Sequence, residues 1–384
     1  MALRVIKFGG SSVANDERIR NVADIIFHIA KKDSVIVVVS AMQGITDQLL
    51  QCAHRAEKND ASYVDMVKEI STRHLETEKK LHKKRKHRDT SALAPLLVDV
   101  QNILHGIYLL QHAPPSVLDI VASFGERLSA QMIASFLNLR HSSCFVDARN
   151  FIVTDNNFTQ ANINFEKTNP ATHLYFKKLF SPKGKKIIPV VTGFIASNGE
   201  GKTTTIGRNG SDYTAAIIGG ALKASAIEIW TDVDGVLSAD PRSVTSAFVL
   251  PSMSYEEAME LSYFGAKIIH SSTIAPAVAE NIPVLIKNTL NPSAKGTLIS
   301  RSVENWKDVA KGITSINDIS LINLRGLSMV GVPGTAARLF RALAAHNVNV
   351  ILISQASSEH TICFAIQSSF LHIATKALKE EFSN

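Results

Sequence analysis

Runs of β-branched residues alternate with segments of helical periodicity along roughly the first 300 residues. The segment "SVIVVVSA" (34–41) is continuously apolar in its centre, which is typical of a strand covered on both faces in a parallel sheet. Further strands are predicted at "RVIKFGG", "SCFVDA", "KKIIPVVTGF", "AIEIWTD" and "IPVLIKN". Helical spacing follows the first strand and recurs near 92–112 and 117–138. The alternation predicts an α/β fold, an open and mostly parallel sheet sandwiched by helices.

The pattern changes near residue 300. The order becomes strand ("DISLINLRG"), helix (334–347), strand ("VNVILISQ"), strand ("HTICFAI") and helix ("SFLHIATKALKEEF"). This β-α-β-β-α order is the ferredoxin-like pattern without its final strand. We therefore expect two domains, one over 1–300 and a smaller, incomplete ferredoxin-like one over 309–384.

Composition narrows the classes of function. The chain has 384 residues with a net charge of +7, and residues 79–88 carry seven Lys and Arg and no acid, so the remainder is neutral. Because no aromatic residues interleave this run, a solvated surface segment is favoured over a nucleic-acid site, and we predict no nucleic-acid partner. The longest apolar run, Val35–Val39, is far shorter than a membrane span. The three cysteines lack metal-ligand spacing and no signal peptide is evident, which predicts a cytoplasmic protein.

The segment "GEGKTTT" (199–205) matches the second half of a phosphate-binding P-loop, GxxxxGK[ST]. The first glycine of that motif is absent because Ala196 stands there. A P-loop opens a helix, whereas the β-branched residues after Lys202 favour a strand. We therefore expect a hairpin tip, with an exposed and dispensable Lys202.

Two other glycine-rich turns are better placed for anions. "GRNGSD" (207–212) leads into a helix that Ser211 or Asp212 could cap, and Arg208 offers a planar fork for a carboxylate or phosphate. "KFGGSS" (7–12) follows the first strand, and its glycines allow close backbone approach to a ligand. Taken singly, each is as well explained by an ordinary turn. However, Lys7, Ser40 and Asp232 all fall at predicted strand ends, where open α/β sheets bind ligands.

Five longer motifs occur in the order of one known family: "VIKFGGSSVAN", "FGERLSA", "GRNGSDYTAA", "EIWTDVDGV" and "SMSYEEAMELSYFGAKIIH". Together they resemble aspartate kinases of the amino-acid kinase family, in particular the kinase part of bifunctional aspartokinase–homoserine dehydrogenases. "GTAARLFRALAAHNVNVILISQASSEHTICFAI" resembles the regulatory ACT domain of the same proteins. The resemblance implies transfer of the γ-phosphoryl group of MgATP to the side-chain carboxylate of L-aspartate. This is the first step of the lysine, threonine and methionine branch of amino-acid biosynthesis.

The resemblance also implies roles for individual residues. The catalytic group would be Lys7, Gly9, Gly10 and Asp212, with Lys7 and the two glycine amides stabilising the phosphoryl group in flight. The aspartate site would consist of Ser40, Thr46, Glu126, Arg208 and Asp212, with Arg208 on the α-carboxylate. The nucleotide would contact Lys7, Gly9, Gly10, Ser11, Thr231, Asp232, Leu237, Arg242 and Lys267. Magnesium would be held by phosphate oxygens and water, without a dedicated protein metal site.

Each of these roles has a structural alternative. Thr46 could cap the following helix, Glu126 could be an exposed helix charge, and Arg242 could be a surface turn residue. Ser254 and Glu257 match a capping box and are expected to be structural. The chain also departs from the family's usual residues. Leu237 replaces a tyrosine, Ser271 and Ser272 replace Pro-Arg, and Ser11 replaces a threonine, so the local nucleotide contacts and the loop after Lys267 could differ.

The ACT segment implies an amino-acid effector, threonine or lysine, near Gly331, Gly334 and Gln355, and a homo-oligomer that is at least a dimer. Two other functions stay open at this stage. The first is a kinase acting on another acid, such as glutamate or acetylglutamate; the second is a non-catalytic amino-acid sensor. The sensor hypothesis predicts loss of Lys7, Arg208 or Asp212, and all three are present.

Overall fold

The computed structural model describes the chain except residues 1, 83–90, 181–185, 264–270, 304–309, 327–331, 356–360 and 383–384, and except the side chains of 271–272. Most of the basic run and the whole of "FGAKIIH", with Lys267, therefore lie outside the described residues. The chain divides into two compact units, Met1–Ile313 and Thr314–Asn384. No helix in the described part of the chain is long and apolar enough to cross a membrane.

The first unit is built on an eight-stranded sheet of order β3-β5-β2-β1-β8-β10-β11-β9. The strands of this unit are β1 (Leu3–Phe8), β2 (Ser34–Val39), β3 (Ser143–Val146), β4 (Val153–Thr154), β5 (Ile188–Thr192), β6 (Ile195–Asn198), β7 (Thr203–Thr205), β8 (Ala226–Thr231), β9 (Ser252–Met253), β10 (Val284–Asn288) and β11 (Thr297–Ile299). All neighbouring strands from β3 to β10 pair in parallel, and only β10 and β11 run antiparallel. The predicted open, mostly parallel sheet is confirmed.

Helices cover both faces of this sheet. They are α1 (Asp16–Ala30), α2 (Ile45–Glu57), α3 (Tyr63–Leu81), α4 (Ala94–Leu110), α5 (Pro115–Leu137), α6 (Phe165–Leu179), α7 (Gly210–Leu222), α8 (Tyr255–Tyr263) and α9 (Ser271–Ala279). The alternation along β2 explains the two layers. Val35, Val37 and Val39 pack into one core with α1–α5, while Ile36 and Val38 pack into the other. A strand buried on both sides requires the continuous apolar run seen in the sequence.

The parallel register brings the carboxyl ends of the central strands to one edge. Phe8 at the end of β1 pairs with Val39 of β2 and with Trp230 of β8. Val39 in turn pairs with Thr192 at the end of β5. The turns that follow β1, β2, β5 and β8 therefore meet at this edge, which is where such sheets bind ligands.

A second, three-stranded sheet of order β4-β6-β7 lies in the same unit. The antiparallel pair of β6 and β7 forms the hairpin expected at "SNGEGK", with Gly201 at φ 78° in its turn. Lys202 is exposed near the tip and pairs with the equally exposed Glu200 at 2.8 Å. The hairpin prediction is confirmed.

Two helices begin with capping side chains of the kind that the local sequence indicates. The Asn15 side chain caps α1, and Ser254 and Glu257 form the reciprocal bonds of a capping box before α8. Two other helices lack the caps considered for them, Thr46 as an alternative role for α2 and Ser211 or Asp212 for α7. Helix α2 follows Gly44 at φ 80°, and α7 follows Asn209 at φ 55°, with no side-chain cap on either. Ser211 and Asp212 therefore lie in the first turn of α7.

The second unit contains β12 (Ile319–Arg325), α10 (Thr335–Ala345), β13 (Leu352–Gln355), β14 (Thr361–Gln367) and α11 (Leu371–Phe382). Its strands form an antiparallel sheet of order β12-β14-β13. Leu339 and Leu343 of α10 pack on Phe364 of β14 and its neighbours to form a separate small core. The β-α-β-β-α order predicted from the sequence is confirmed.

Candidate active site

A cleft of about 400 Å³ lies at the carboxyl edge of the large sheet. The turns after β1, β2 and β5, the start of α7 and the middle of α5 surround it. It brings together seven of the residues expected from the sequence: Lys7, Gly10, Ser40, Thr46, Glu126, Arg208 and Asp212. These seven come from segments more than 200 residues apart in the chain, so the fold assembles them into one site.

Lys7 and Asp212 form an ion pair inside the cleft. Lys7 Nζ lies 2.6 Å from Asp212 Oδ1, and both side chains are about one-tenth exposed. At this distance the ammonium is a close, charge-assisted partner of the carboxylate, and Asp212 Oδ1 accepts no further hydrogen bond within the described residues. A second cation at Asp212 would therefore have to share this carboxylate with Lys7.

Glu126 is buried at the floor of the cleft and is 3% exposed. Gly125 permits this position, because a Cβ there would lie 2.7 Å from Ala41 Cβ. The Ala41 amide donates to Glu126 Oε1 at 3.2 Å, while Oε2 has no partner in the described part of the chain. Burial raises the pKa of Glu126 to about 8, against the opposing effects of the Ala41 bond and of Lys7. The group is therefore mostly protonated at pH 7, and in its ionised form it offers Oε2 to an ammonium group.

The "GRNGSD" turn forms the opposite wall. Gly207 at φ 76° and Asn209 at φ 55° turn the chain into α7, and a Cβ on Gly210 would lie 2.7 Å from the ring of Phe194. Arg208 is exposed at the mouth of the cleft and has no ion-pair or hydrogen-bond partner among the described residues. Its guanidinium is available to an anion.

Asp119 of α5 supports this turn from behind. Its buried carboxylate accepts bonds from the amide and the hydroxyl of Thr205, at 3.1 and 2.7 Å, and from the amide of Thr159. Thr205 ends β7 two residues before Gly207. Asp119 was not predicted from the sequence, since nothing local links residues 86 positions apart.

The two glycines of the turn after β1 have different surroundings. The Gly9 amide donates to the Trp230 carbonyl at 3.2 Å, so it already has a protein partner. Gly10 lines the cleft, and a Cβ there would lie 2.9 Å from the Ala41 carbonyl oxygen. Ser11 is half-buried and does not line the cleft, as Gly9 does not. Gly10 is therefore the residue of this turn best placed to meet a ligand with its backbone.

The residues expected to hold the nucleotide follow β8. Thr231 ends that strand, and its hydroxyl donates to the exposed Asp232 carboxylate at 3.2 Å. Leu237 is half-buried and bridges to Val249. Arg242 is exposed and holds Asp240 through two nitrogens, the closer at 2.7 Å, which lowers the pKa of Asp240 to about 2. None of these four residues lines the cleft.

The rest of the predicted "GRNGSD" turn also lines the cleft, through Gly207, Asn209, Gly210 and Ser211. The lining residues that were not predicted from the sequence are Ala41, Met42, Gln43, Gly44, Asp47 and Phe194. Gly44 and Asn209, both at positive φ, could have been found from the sequence because each residue type is typical of a turn after a strand.

A turn next to the cleft is ordered by a contact between two strand ends. Asn288, at the end of β10, donates to Asp234, in the turn after β8, at 2.7 Å.

In the second unit, Gly334 precedes α10 at φ 92°, and Gln355 is exposed at the end of β13. Gly331, the third expected effector residue, lies outside the described residues. Throughout the part of the chain that the structure describes, no group of three or more His, Cys, Asp and Glu is arranged to hold a metal ion.

The cleft combines two cationic side chains, Lys7 and Arg208, with three carboxyl groups, Asp47, Glu126 and Asp212. Such a set complements a small zwitterion: carboxylates face the cations and an ammonium faces the acids. Lys7 and the Gly10 backbone also stand at a strand end suited to a phosphoryl group. The arrangement can therefore align an amino acid with a phosphoryl donor.

Known proteins are similar to this chain in sequence and in fold. The chain is 40% identical over 393 residues to the bifunctional aspartokinase/homoserine dehydrogenase 2, chloroplastic, of Arabidopsis thaliana, covering 99% of this chain and 42% of that protein. It is 36% identical to aspartokinase 3, chloroplastic, of the same plant, over 95% of this chain and 64% of that one. The crystal structure of E. coli aspartokinase III with lysine and aspartate superposes with a TM-score of 0.77 at 28% identity, over 97% of this chain and 83% of that one.

The chain thus spans less than half the length of the bifunctional relative. Residues 322–382 match the ACT domain. Residues 2–288, which include every lining residue of the cleft, match the amino acid kinase family. The chain therefore belongs to the amino acid kinase family.

Proposed function

We propose that this protein is an aspartate kinase that transfers the γ-phosphoryl group of MgATP to the side-chain carboxylate of L-aspartate. The observation that carries the proposal is the cleft itself, in which Lys7, Glu126, Arg208 and Asp212 converge. Relatives at 36–40% identity named aspartokinases support it, as does the similarity to an aspartokinase solved with aspartate.

Aspartate binds through its charged backbone groups. Arg208 grips the α-carboxylate through two parallel hydrogen bonds. Glu126 and Asp212 receive the ammonium group, which provides the missing partner for Glu126 Oε2. Ser40 and Thr46 line the same cleft and hold the side-chain carboxylate with their hydroxyls.

Binding of the ammonium group also changes the environment of Lys7. In the structure, Lys7 Nζ is held by Asp212 at 2.6 Å. When a substrate cation shares Asp212, the attraction on Lys7 weakens and the lysine turns to the γ-phosphoryl group. Positive charge is thereby directed at the donor only after the acceptor has bound.

The chemical step requires alignment and charge rather than a general base. The nucleophile is a carboxylate that is already ionised at neutral pH. The barrier is the approach of this anion to the more anionic phosphate, which Lys7 and the Gly10 amide lower. Because the Gly9 amide is bonded to the Trp230 carbonyl, its part is to shape the turn.

The nucleotide lies against the turns that follow β8, with Thr231, Asp232, Leu237, Arg242 and Lys267 as its contacts. Use of Arg242 requires its guanidinium to leave Asp240, which is a modest barrier for an exposed arginine paired with a partly exposed aspartate. Magnesium is held by phosphate oxygens and water rather than by a protein cage.

The ACT segment binds an amino-acid effector, threonine or lysine, near Gly331, Gly334 and Gln355. The lysine in the E. coli aspartokinase III structure supports this class of ligand. We also propose a homo-oligomer, at least a dimer, because Leu321, Leu352 and Ile353 of the small sheet are half or more exposed. The proposed location is cytoplasmic, whereas the plant relatives are named chloroplastic.

One assay tests the activity. The protein is incubated with MgATP, L-aspartate and hydroxylamine, and the hydroxamate formed from the acyl phosphate is identified by mass spectrometry. Aspartate hydroxamate with one ADP per product is the expected result. Product with glutamate or acetylglutamate but not with aspartate would reassign the substrate, and binding of amino acids without turnover of any acid would indicate a sensor. Arg208→Lys is the matched variant, since it keeps the charge but removes the fork.

A further inference from the structure

Arg73 of α3 joins two loops of the cleft that are not otherwise linked through side chains in the described residues. Its Nη1 donates to the Gln43 carbonyl at 2.9 Å, and its Nη2 donates to the Ala14 carbonyl at 3.1 Å. Ala14 ends the turn after β1, and Gln43 lies in the turn after β2. One planar guanidinium therefore spans both turns from outside the cleft.

The geometry favours a dedicated contact over an ordinary surface charge. Glu69 and Glu76 lie four residues before and three residues after Arg73 on the same helix, the spacing at which ion pairs form. No ion pair between Arg73 and either glutamate is present, and both guanidinium bonds go to carbonyls 30 and 59 residues away. Arg is suited to this because its donors have a fixed fork geometry.

The two turns carry opposite halves of the proposed reaction. The turn after β1 presents Gly10, with Lys7 on the strand before it, on the phosphoryl side. The turn after β2 presents Ser40, and the first turn of α2 presents Thr46, both on the acceptor side. Besides Arg73, two backbone hydrogen bonds connect these segments within the described residues: the Ser40 amide donates to the Phe8 carbonyl at 3.1 Å, where the strands end, and the Gln43 amide donates to the Gly10 carbonyl at 3.2 Å.

We propose that Arg73 is a positioning residue for phosphoryl transfer, which fixes the spacing between the donor-side turn and the acceptor-side turn. It contacts neither substrate nor nucleotide and does not line the cleft. The inference rests on the proposed kinase function. Since reaction rates depend steeply on the alignment of reacting atoms, loosening the turns lowers kcat while leaving the KM for aspartate nearly unchanged.

The test uses the full chain with Arg73→Ala, Arg73→Lys and the control Arg55→Ala. Arg55 is an exposed arginine of α2 that donates to the Ser62 hydroxyl, away from the cleft. We expect Arg73→Ala to lower kcat about 10- to 100-fold with less than about threefold change in KM. Arg73→Lys, which can reach one carbonyl at a time, is expected to fall between, and added guanidinium should partly restore the alanine variant.

Hydrogen exchange provides a readout that does not depend on the substrate. In the absence of ligands, the amides of residues 9–15 and 40–46 should exchange faster in both Arg73 variants than in the wild type or Arg55→Ala. Unchanged exchange, or an unchanged kcat in an active wild type, would overturn the proposal. So would a loss of activity matched by loss of folded protein and not relieved by guanidinium. If the wild type phosphorylates no acid, the kinase proposal fails, and exchange alone decides whether Arg73 ties the turns.

Discussion

Lys7 and Lys202 both lie beside glycines in segments that suggest a phosphate site, yet the fold treats them in opposite ways. Lys7 is 9% exposed, at a strand end inside the cleft, where it meets Asp212. The side chain of Lys202 is 62% exposed at a hairpin tip and meets only Glu200. The segment "GEGKTTT", which contains Lys202, is closer to a known phosphate-binding motif than the segment "KFGGSS", which contains Lys7.

The difference lies in what each glycine turn connects. A parallel strand that runs into a turn and then a helix directs its lysine to the edge where other strands also end. A hairpin returns the chain antiparallel, so Lys202 faces solvent. A short motif therefore predicts a site only together with the elements on either side of it.

Lys7→Met should produce the largest effect on catalysis. Removal of the charge directed at the phosphoryl group is expected to lower kcat by about 10²–10³, the usual cost of losing one preorganised stabilising group. The KM for aspartate should change little, since the Asp212 carboxylate remains to receive the ammonium and Arg208 remains to hold the α-carboxylate. Steady-state kinetics with aspartate as the varied substrate measures both parameters. An unchanged kcat would remove Lys7 from the mechanism.

Arg208→Ala should affect binding rather than the chemical step. Loss of a charged, two-fold contact to the α-carboxylate is expected to raise the KM for aspartate about 10- to 100-fold. Since the reacting carboxylate lies at the other end of the substrate, kcat should fall much less. Calorimetric titration of aspartate into the variant provides an independent check. A KM equal to that of the wild type would contradict this role.

Glu126 should make aspartate binding depend on pH. With a pKa of about 8 in the free protein, the group is mostly neutral at pH 7 and attracts an ammonium weakly. The affinity for aspartate should rise severalfold as the pH increases from 7 to 8.5, and Glu126→Gln should abolish the rise. A pH-independent affinity in the wild type would show that Glu126 does not hold the ammonium.

The same group should change stability by a smaller amount. Because burial raises the folded-state pKa from 4.5 to about 8, the folded chain binds the Glu126 proton more tightly than the unfolded chain. The contribution of Glu126 to the free energy of unfolding is therefore fully present below pH 4.5 and is lost as the pH rises through 8. Denaturant unfolding at pH 6 and 8.5 should show a larger decrease for the wild type than for Glu126→Gln. Equal decreases in the free energy of unfolding would mean that folding does not raise the pKa of Glu126.

Much of the fold followed from the sequence because the strongest signals are local. The apolar run of β2, the caps of α1 and α8 and the hairpin at Lys202 each depend on a few adjacent residues. The starts of α2 and α7 were missed, since they begin after Gly44 and Asn209 in left-handed conformations rather than after a capping side chain.

The site was less accessible to such reasoning. A charged residue in a helix usually faces water, whereas Glu126 is buried beside Gly125, which packs closely against Ala41, 84 positions earlier. The roles of Asp119 and Arg73 likewise depend on bonds between distant segments. Similarity to a family pointed to Glu126 before the structure did, but it gave no reason for its burial.

The most direct test of the proposed site compares substitutions of the two lysines in one assay. Lys7→Met and Lys202→Met are compared with the wild type for the initial rate of aspartate hydroxamate formation at saturating MgATP and L-aspartate. We predict that Lys7→Met lowers the initial rate about 10²- to 10³-fold and that Lys202→Met stays within about twofold of the wild-type rate. Equal rates for the two variants, or a greater loss for Lys202→Met, would contradict it.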